Sequence, residues 1–199
     1  MKIILASASA SRTRLLSEAK IPHQIEVSGV DEESDEFVKM SPAQMVVALS
    51  EAKARAVAAK HVGENILVIG ADSTLEFEGV SMGKPLTKEV ALSWWRNYLG
   101  KSGSLHTGQT VIDVARNESR SALSTTEITF AQLTEDEIHS YIDTQEPLQL
   151  AGGASLDGIG SPYISRICGD ATGVLGLSMN DLRALCEELG HPWRTLRAS

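Results

Sequence analysis

An α/β fold with a mixed sheet is what the sequence predicts, on three observations. Short aliphatic runs at 2–6 and 65–71 alternate with capped, amphipathic helical patterns. Two longer strand patterns, 104–115 and 120–131, meet at the polar turn Arg116-Asn117-Glu118-Ser119 and read as a hairpin. Strands interleaved with helices and strands joined directly to each other imply both parallel and antiparallel pairing.

The first run, 2–6, reads as a buried strand, and Ser9 or Ser11 caps a helix reaching about Ala19 with Leu15 and Leu16 turned inward. Residues 23–28 read as a second short strand. Ser41-Pro42 opens the clearest helix, a capping residue followed by a proline suited to the first turn; it extends to about His61. The run at 65–71, aliphatic and broken by Gly70, is the strongest buried strand, and 74–80 fold back at Glu78-Gly79. Thr87 begins a helix holding Trp94 and Trp95 and stopped by Gly100. Being adjacent, the two tryptophans face different surroundings, so one lines an interface or lies half-exposed. Thr134 and Glu137 form a capping box for a short helix. A glycine-rich loop at 151–162, a strand at 163–167 and a helix at 180–189 complete the chain.

At 199 residues the chain buries roughly 70% of the surface of its unfolded form, enough to fold without disulfide or metal. No repeat or linker divides it, so 1–199 reads as one folding unit. The balance of 18 basic and 26 acidic residues, net −8, argues against a nucleic-acid polymer or a polybasic membrane surface as partner. It leaves room for a small anion held by local cations. The apolar stretch at 3–6 is shorter than the ~7 residues of an export signal, and no segment nears the ~18 of a membrane helix. Cys168 and Cys186 are too few and too separated for a disulfide framework, and read as reduced thiols of a cytoplasmic protein.

Five segments put polar groups where a core would not. Ser7, Ser9 and Ser11 lie in the small-residue turn between the first strand and helix, where free backbone N–H groups face an anion, and Arg12 adds a fork of donors suited to phosphate. A plain serine cap with a surface arginine is the alternative. Glu32, in Val30-Asp31-Glu32-Glu33, follows the second strand and reads equally as a solvated acidic loop. Lys53 falls on the apolar face of its helix, either snorkelling or aimed into a cleft. Asp72, in Gly70-Ala71-Asp72-Ser73, leaves the carboxyl edge of the most buried strand, where α/β ligands bind; an Asx-turn ending the strand is the other reading. Lys84, in Gly83-Lys84-Pro85, is a point charge in a loop open to close approach, though such loops are common and this is no P-loop. Together, three cations with two carboxylates suit a polyphosphate and a divalent ion, since phosphoryl chemistry needs positioning and charge neutralisation rather than a special nucleophile.

In this order LASASASRTRLL, VDEE, LSEAKARA, GADSTLEFEGVSMGKP, TEDEIHSYIDTQEPLQLAGGASLDG and GDATGVLGLSM resemble the Maf family of nucleoside triphosphate pyrophosphatases, over about residues 3–189. The resemblance implies an elongated mixed sheet flanked by helices, with two lobes and a cleft, of the Maf/inosine-triphosphatase type. It implies hydrolysis of a (deoxy)nucleoside triphosphate to monophosphate and pyrophosphate with Mg or Mn, and a role in clearing non-standard nucleotides. Arg12 then matches the family's phosphate-binding arginine, Ser7 and Ser9 its serine loop, Lys53 and Lys84 its lysines, Glu32 its motif glutamate and a metal ligand. Asp72 matches the proton acceptor and a second metal ligand. Relatives are often homodimers.

This chain departs from the family where many relatives read Ser-Pro-Arg-Arg, having Ser9-Ala10-Ser11-Arg12. The positions that sort family subgroups correspond to Ser11, Ser73 and Asp157. The subgroup acting on dTTP and UTP resembles Arg, Thr and Gln there; the one acting on 7-methyl-GTP resembles Trp, Gln and Glu. A carboxylate at Asp157 accepts hydrogen bonds from guanine N1–H and N2–H₂, which favours a purine or modified purine. The rival class is a nucleotide-binding module that regulates a partner in cell division without turnover. A phosphatase releasing orthophosphate would use the same residue types. His106, His139 and His191 lie in separate segments and receive no catalytic role.

Overall fold

The computed structural model describes residues 1–198. In chain order the elements are β1 (Lys2–Leu5), α1 (Ala10–Glu18), β2 (Gln24–Ile25), α2 (Asp35–Val38), α3 (Pro42–Ala58), β3 (Ile66–Phe77), β4 (Val80–Met82), α4 (Lys88–Tyr98), β5 (Ser102–Asp113), β6 (Glu118–Phe130), α5 (Glu135–Asp143), β7 (Ile164–Cys168), α6 (Ala171–Val174), α7 (Met179–Glu188) and α8 (Trp193–Leu196). Three short 3-10 turns lie between α5 and β7. The strands form one sheet in the order β2-β1-β3-β5-β6-β7, and β4 joins β3 on the side away from β5. β1 runs parallel to β2 and β3, and every other pairing is antiparallel, so the sheet is mixed, as expected.

Most caps fall where the sequence signals them. Ser9 caps α1, Ser41 and Gln44 form a capping box at α3, and Thr134 and Glu137 form one at α5. The β3–β4 turn sits at Glu78-Gly79, both at positive φ, as a two-residue hairpin demands. The strand expected at 23–28 shrinks to Gln24–Ile25, an exposed edge pair with little to bury. The short helices α2, α6 and α8 carry too few residues for a periodic pattern to announce them.

The strand expected to stop at residue 71 instead runs on through Phe77. It does so because β5 pairs with it continuously from Leu67 to Glu76. Its other edge is divided. β1 pairs with 66–69 and β4 with 75–77, and among the described residues no strand pairs with the stretch between on that side. Asp72 therefore lies within a buried strand, not at its end.

Alternation along β3 sends its side chains into separate clusters. Leu67, Ile69 and Ala71 join Ile3, Leu5, Leu16, Leu177 and Leu182 under α1 and α7. Ile66 and Val68 join Ile4, Ala54 and Val57 beneath α3. Past the unpaired stretch, Leu75 and Phe77 join a third cluster with Trp95, Tyr98, Phe130, Ile138 and Tyr141 from α4, β6 and α5. The polar residues from Asp72 to Thr74 are thus a waist between apolar masses at the two ends of the same long strands. Trp95 is fully buried, ringed by Tyr98, Phe130, Tyr141 and Tyr163, and donates its indole N–H to Gly153 O at 2.9 Å. Trp94 is only partly buried against that cluster.

Two glycines let α3 lie close on the sheet. A Cβ at Gly70 would sit 2.8 Å from Ala54 N and nearer still to Ser50 O, and one at Gly108 would overlap the backbone of Val46. Both obstacles are helix backbone, which has nowhere to go. Gly70→Ala is expected to cost about 1–3 kcal/mol through overpacking. Gly83→Ala, with nothing within 4 Å, is expected to stay within about 0.5 kcal/mol. Urea denaturation of the two variants checks the contrast.

Candidate active site

The carboxyl end of β1, the start of α1 and the unpaired edge of β3 meet at one point. Arg12 fills it. Its side chain is buried, and its guanidinium donates from Nε to Gly176 O at 2.7 Å, from Nη1 to Ala71 O at 2.8 Å and Ser7 Oγ at 3.0 Å, and from Nη2 to Ser73 Oγ at 3.2 Å. Four of five N–H donors are thereby spent inside the protein, so Arg12 is chiefly a strut between β1, β3 and the loop before α7, with one donor left for a ligand. Burial pushes its pKa below the ordinary arginine value, while the charges of Asp72 and Glu32 oppose that shift.

Ser7 is buried and accepts from both Arg12 and the backbone N–H of Ser9 at 3.2 Å, leaving its own hydroxyl proton free to donate. Ser9 accepts from Arg12 N at 3.4 Å as the helix cap. Among the described residues the N–H groups of Ala8, Ala10 and Ser11 make no hydrogen bond. They form an anion-receptive mouth at the positive end of α1. The Ser11 side chain is half-buried and has no hydrogen-bond partner among the described residues, and Ser73 Oγ lies 2.9 Å from Thr107 Oγ1.

On the opposite face of β3, α3 delivers Lys53, whose side chain is 8% exposed. Its ammonium lies 2.7 Å from Asp72 Oδ1 and 2.8 Å from Glu32 Oε1. Lys53 therefore does not snorkel to solvent; its ammonium is turned inward onto the two carboxylates. Glu32 is half-exposed and reaches this pair from the loop before α2. Burial pushes the Asp72 carboxyl above its ordinary value; Lys53 and Arg12 pull it back without cancelling that effect, and the charge of Glu32 adds to the rise. Glu32 and Asp72 share one ammonium and each keeps a second oxygen. Two hard carboxylate donors are what Mg or Mn needs when phosphate oxygens and water complete its shell. Among the described residues no group of three or more His, Cys, Asp or Glu could hold a metal unaided.

Lys84 is exposed, on the loop between β4 and α4. That loop is tied to the glycine-rich segment by Gly152 N donating to Gly83 O at 2.8 Å. The same segment carries Asp157, which forms an ion pair with Arg14 of α1 and accepts from Ser155 Oγ at 2.7 Å. Sequence reasoning passed over Arg14, since a pair 143 residues apart leaves no local signal. It also passed over Glu146, which accepts from Ile159 N at 3.0 Å, Gly160 N at 2.9 Å and Tyr141 Oη at 3.1 Å. The histidines have other occupations. His106 lies 3.0 Å from Glu76 and 2.9 Å from Thr125, His191 lies 2.7 Å from Asp113, and the exposed His139 lies 3.6 Å from Glu135.

The raised Asp72 carboxyl has a signed consequence. The folded state holds that proton more tightly than the unfolded chain. The stability it contributes is therefore full below the ordinary aspartate pKa and is lost as pH rises through the higher folded value. Titrating the Asp72 carboxyl carbon by NMR is expected to give a midpoint above the ordinary aspartate range, and a higher one in Lys53→Met. A midpoint below that range would mean that the cations outweigh burial.

The family model described as "Maf-like protein" matches residues 2–189. A protein of Streptomyces coelicolor named nucleoside triphosphate pyrophosphatase is 42% identical over 189 residues, covering 95% of this chain and 91% of the relative. A protein of the same name from Synechococcus sp. (strain WH7803) is 43% identical over 185 residues, covering 91% and 96%. A solved structure of a HAM1 protein from Coxiella burnetii overlaps with a TM-score of 0.46 at 12% identity, covering 98% of this chain and 96% of that one. With the match spanning nearly every described element, the chain belongs to the Maf-like protein family.

Proposed function

We propose that this protein is a nucleoside triphosphate pyrophosphatase that hydrolyses a (deoxy)nucleoside triphosphate to the monophosphate and pyrophosphate. The observation that carries the proposal is the buried Lys53–Asp72 pair, joined by Glu32, beside the open N-terminus of α1 at the waist of the sheet. The names of the curated relatives support the same reaction class.

Each group then has a task. The free N–H groups of α1, the Ser7 hydroxyl and the last donor of Arg12 bind phosphate oxygens. Lys84 meets the same charge from the opposite loop. Asp72 accepts a proton from the attacking water as a water oxygen–phosphorus bond forms at the α-phosphorus and the bond to the bridging oxygen breaks. A carboxyl raised by burial is a stronger base than an ordinary aspartate, and Lys53 and Arg12 limit that rise. Glu32 and Asp72 are the residues that would hold Mg or Mn, which when bound neutralises the phosphate charge and that of the leaving pyrophosphate. Asp157 reads the base, favouring a purine or a modified purine, and the role that follows is clearance of such nucleotides from the pool. We place the protein in the cytoplasm, a setting suited to its two free cysteines.

Phosphorus NMR of products tests the reaction, with GTP, 7-methyl-GTP, ITP, UTP and dTTP offered separately in Mg or Mn. Pyrophosphate plus monophosphate is expected, and Asp72→Asn is expected to lower kcat by ~10²–10⁴ with KM nearly unchanged. Orthophosphate as product would make the protein a phosphatase. Bound nucleotide without turnover would favour the regulatory module.

A further inference from the structure

The Arg14–Asp157 ion pair joins parts of the molecule that otherwise belong to opposite walls of the site. Arg14 stands on α1, two residues beyond the Arg12 strut, and α1 packs through Leu15 and Leu16 on the cluster under β1. Asp157 stands on the glycine-rich loop, which belongs to the other end of the sheet. Glu146 pins that loop through Ile159 N and Gly160 N, and Gly152 binds it to the Gly83-Lys84-Pro85 loop. The pair therefore runs from the wall that carries Arg12 to the wall that carries Lys84.

The carboxylate is held on both oxygens. Arg14 Nη2 donates to Oδ2, and Ser155 Oγ donates to Oδ1 at 2.7 Å while accepting from the Asp157 backbone N–H at 3.2 Å. Each carboxylate oxygen has two acceptor sites, so one on each remains. Two neighbouring acceptors match a base edge with two neighbouring donors, a ring N–H beside an exocyclic amino group. Guanine and 7-methylguanine have that edge, hypoxanthine lacks the amino group, and thymine and uracil offer a single ring N–H between carbonyls.

We infer that Arg14 is the positioning residue for base selection: paired with Asp157 across the opening, it holds the carboxylate so that its remaining acceptors meet a guanine-type edge. This rests on the reading of the site as a nucleoside triphosphate pocket. The side chains are 46% and 33% exposed, so the pair adds little to folding stability, and its effect is orientation. With Ser155 as its one remaining side-chain partner among the described residues, the carboxylate would rotate and lose its aim. Partial burial works to raise the Asp157 carboxyl, but the bonds from Ser155 and Arg14 outweigh it and hold the group below the ordinary range, ionised at neutral pH.

Steady-state kcat and KM for GTP, ITP and dTTP test this in the wild type, Arg14→Gln, Arg14→Lys, Asp157→Asn and the Arg14→Gln/Asp157→Asn double variant. Arg14→Gln is expected to raise KM for GTP about tenfold, the size of one lost charge-assisted contact, with kcat kept and dTTP little affected. Arg14→Lys is expected to recover part of the loss. The double variant is expected to be no worse than Asp157→Asn alone, because Arg14 acts through Asp157. Thermal melting of Arg14→Gln is expected to match the wild type. If Asp157→Asn alters the order of bases and Arg14→Gln does not, or if Arg14→Gln lowers kcat for all three alike, the role of Arg14 is overturned with base reading intact. If Asp157→Asn leaves the order unchanged, base reading at Asp157 falls, and Arg14 with it. A wild type that releases no pyrophosphate from any nucleotide overturns the proposed reaction instead. Calorimetric affinities for the same nucleotides then decide between the outcomes for Arg14 on the same ranking.

Discussion

A buried strand left without a partner along part of one edge has backbone groups that water cannot reach, and something must bond them. In this protein that stretch lies in β3, between its pairing with β1 and its pairing with β4. Arg12 occupies it, bonding Ala71 O while also holding Gly176 O and the Ser7 and Ser73 hydroxyls. The division of that edge leaves a gap in the pairing of the sheet. It is the equivalent here of the crevice where neighbouring connections part in other α/β sheets. Filling it with an arginine leaves a cation at its floor.

The charges around this floor balance. Arg12 and Lys53 face Asp72 and Glu32, so two cations and two carboxylates share a waist with buried serines and threonines. Breaking such a buried pair costs about 3–5 kcal/mol, whereas forming it adds little net stability. The arrangement is thus costly to disrupt while adding little to folding, in keeping with the role proposed for it. It also reconciles a chain of net charge −8 with an anionic ligand, because the local field and not the sum decides. Toward the ends of the long strands the side chains gather in apolar clusters, Trp95, Tyr98 and Phe130 at one pole and Leu5, Leu16 and Leu177 at the other.

Much of this was legible beforehand. The cap of α3 at Ser41, the capping box at Thr134 and the turn at Glu78-Gly79 are local signals, and each appears where its chemistry requires. Ser7, Arg12, Lys53 and Asp72 were visible as polar residues in apolar surroundings, and the structure brings them together. The continuation of β3 through Asp72 was not visible, because it depends on β5, a partner about forty residues further along the chain. Nor was the burial of Arg12, whose bonds reach a carbonyl 164 positions away. Arg14 and Glu146 escaped notice for the same reason, each being an ordinary surface residue until a loop folds against it.

The sequence by itself determined the α/β class, the starts of the longer helices, most strand positions and the residue types available to the site. These follow from periodicity, capping and turn chemistry, which act over a few residues. Only the tertiary structure decided which edge of β3 stays open, that Lys53 points inward, that Arg12 is a strut, and that Asp157 is paired with Arg14 of α1. Those outcomes depend on contacts between segments far apart in the chain, made where Gly70 and Gly108 let α3 settle on the sheet. No local pattern encodes the distance between two surfaces that meet only when the chain is folded.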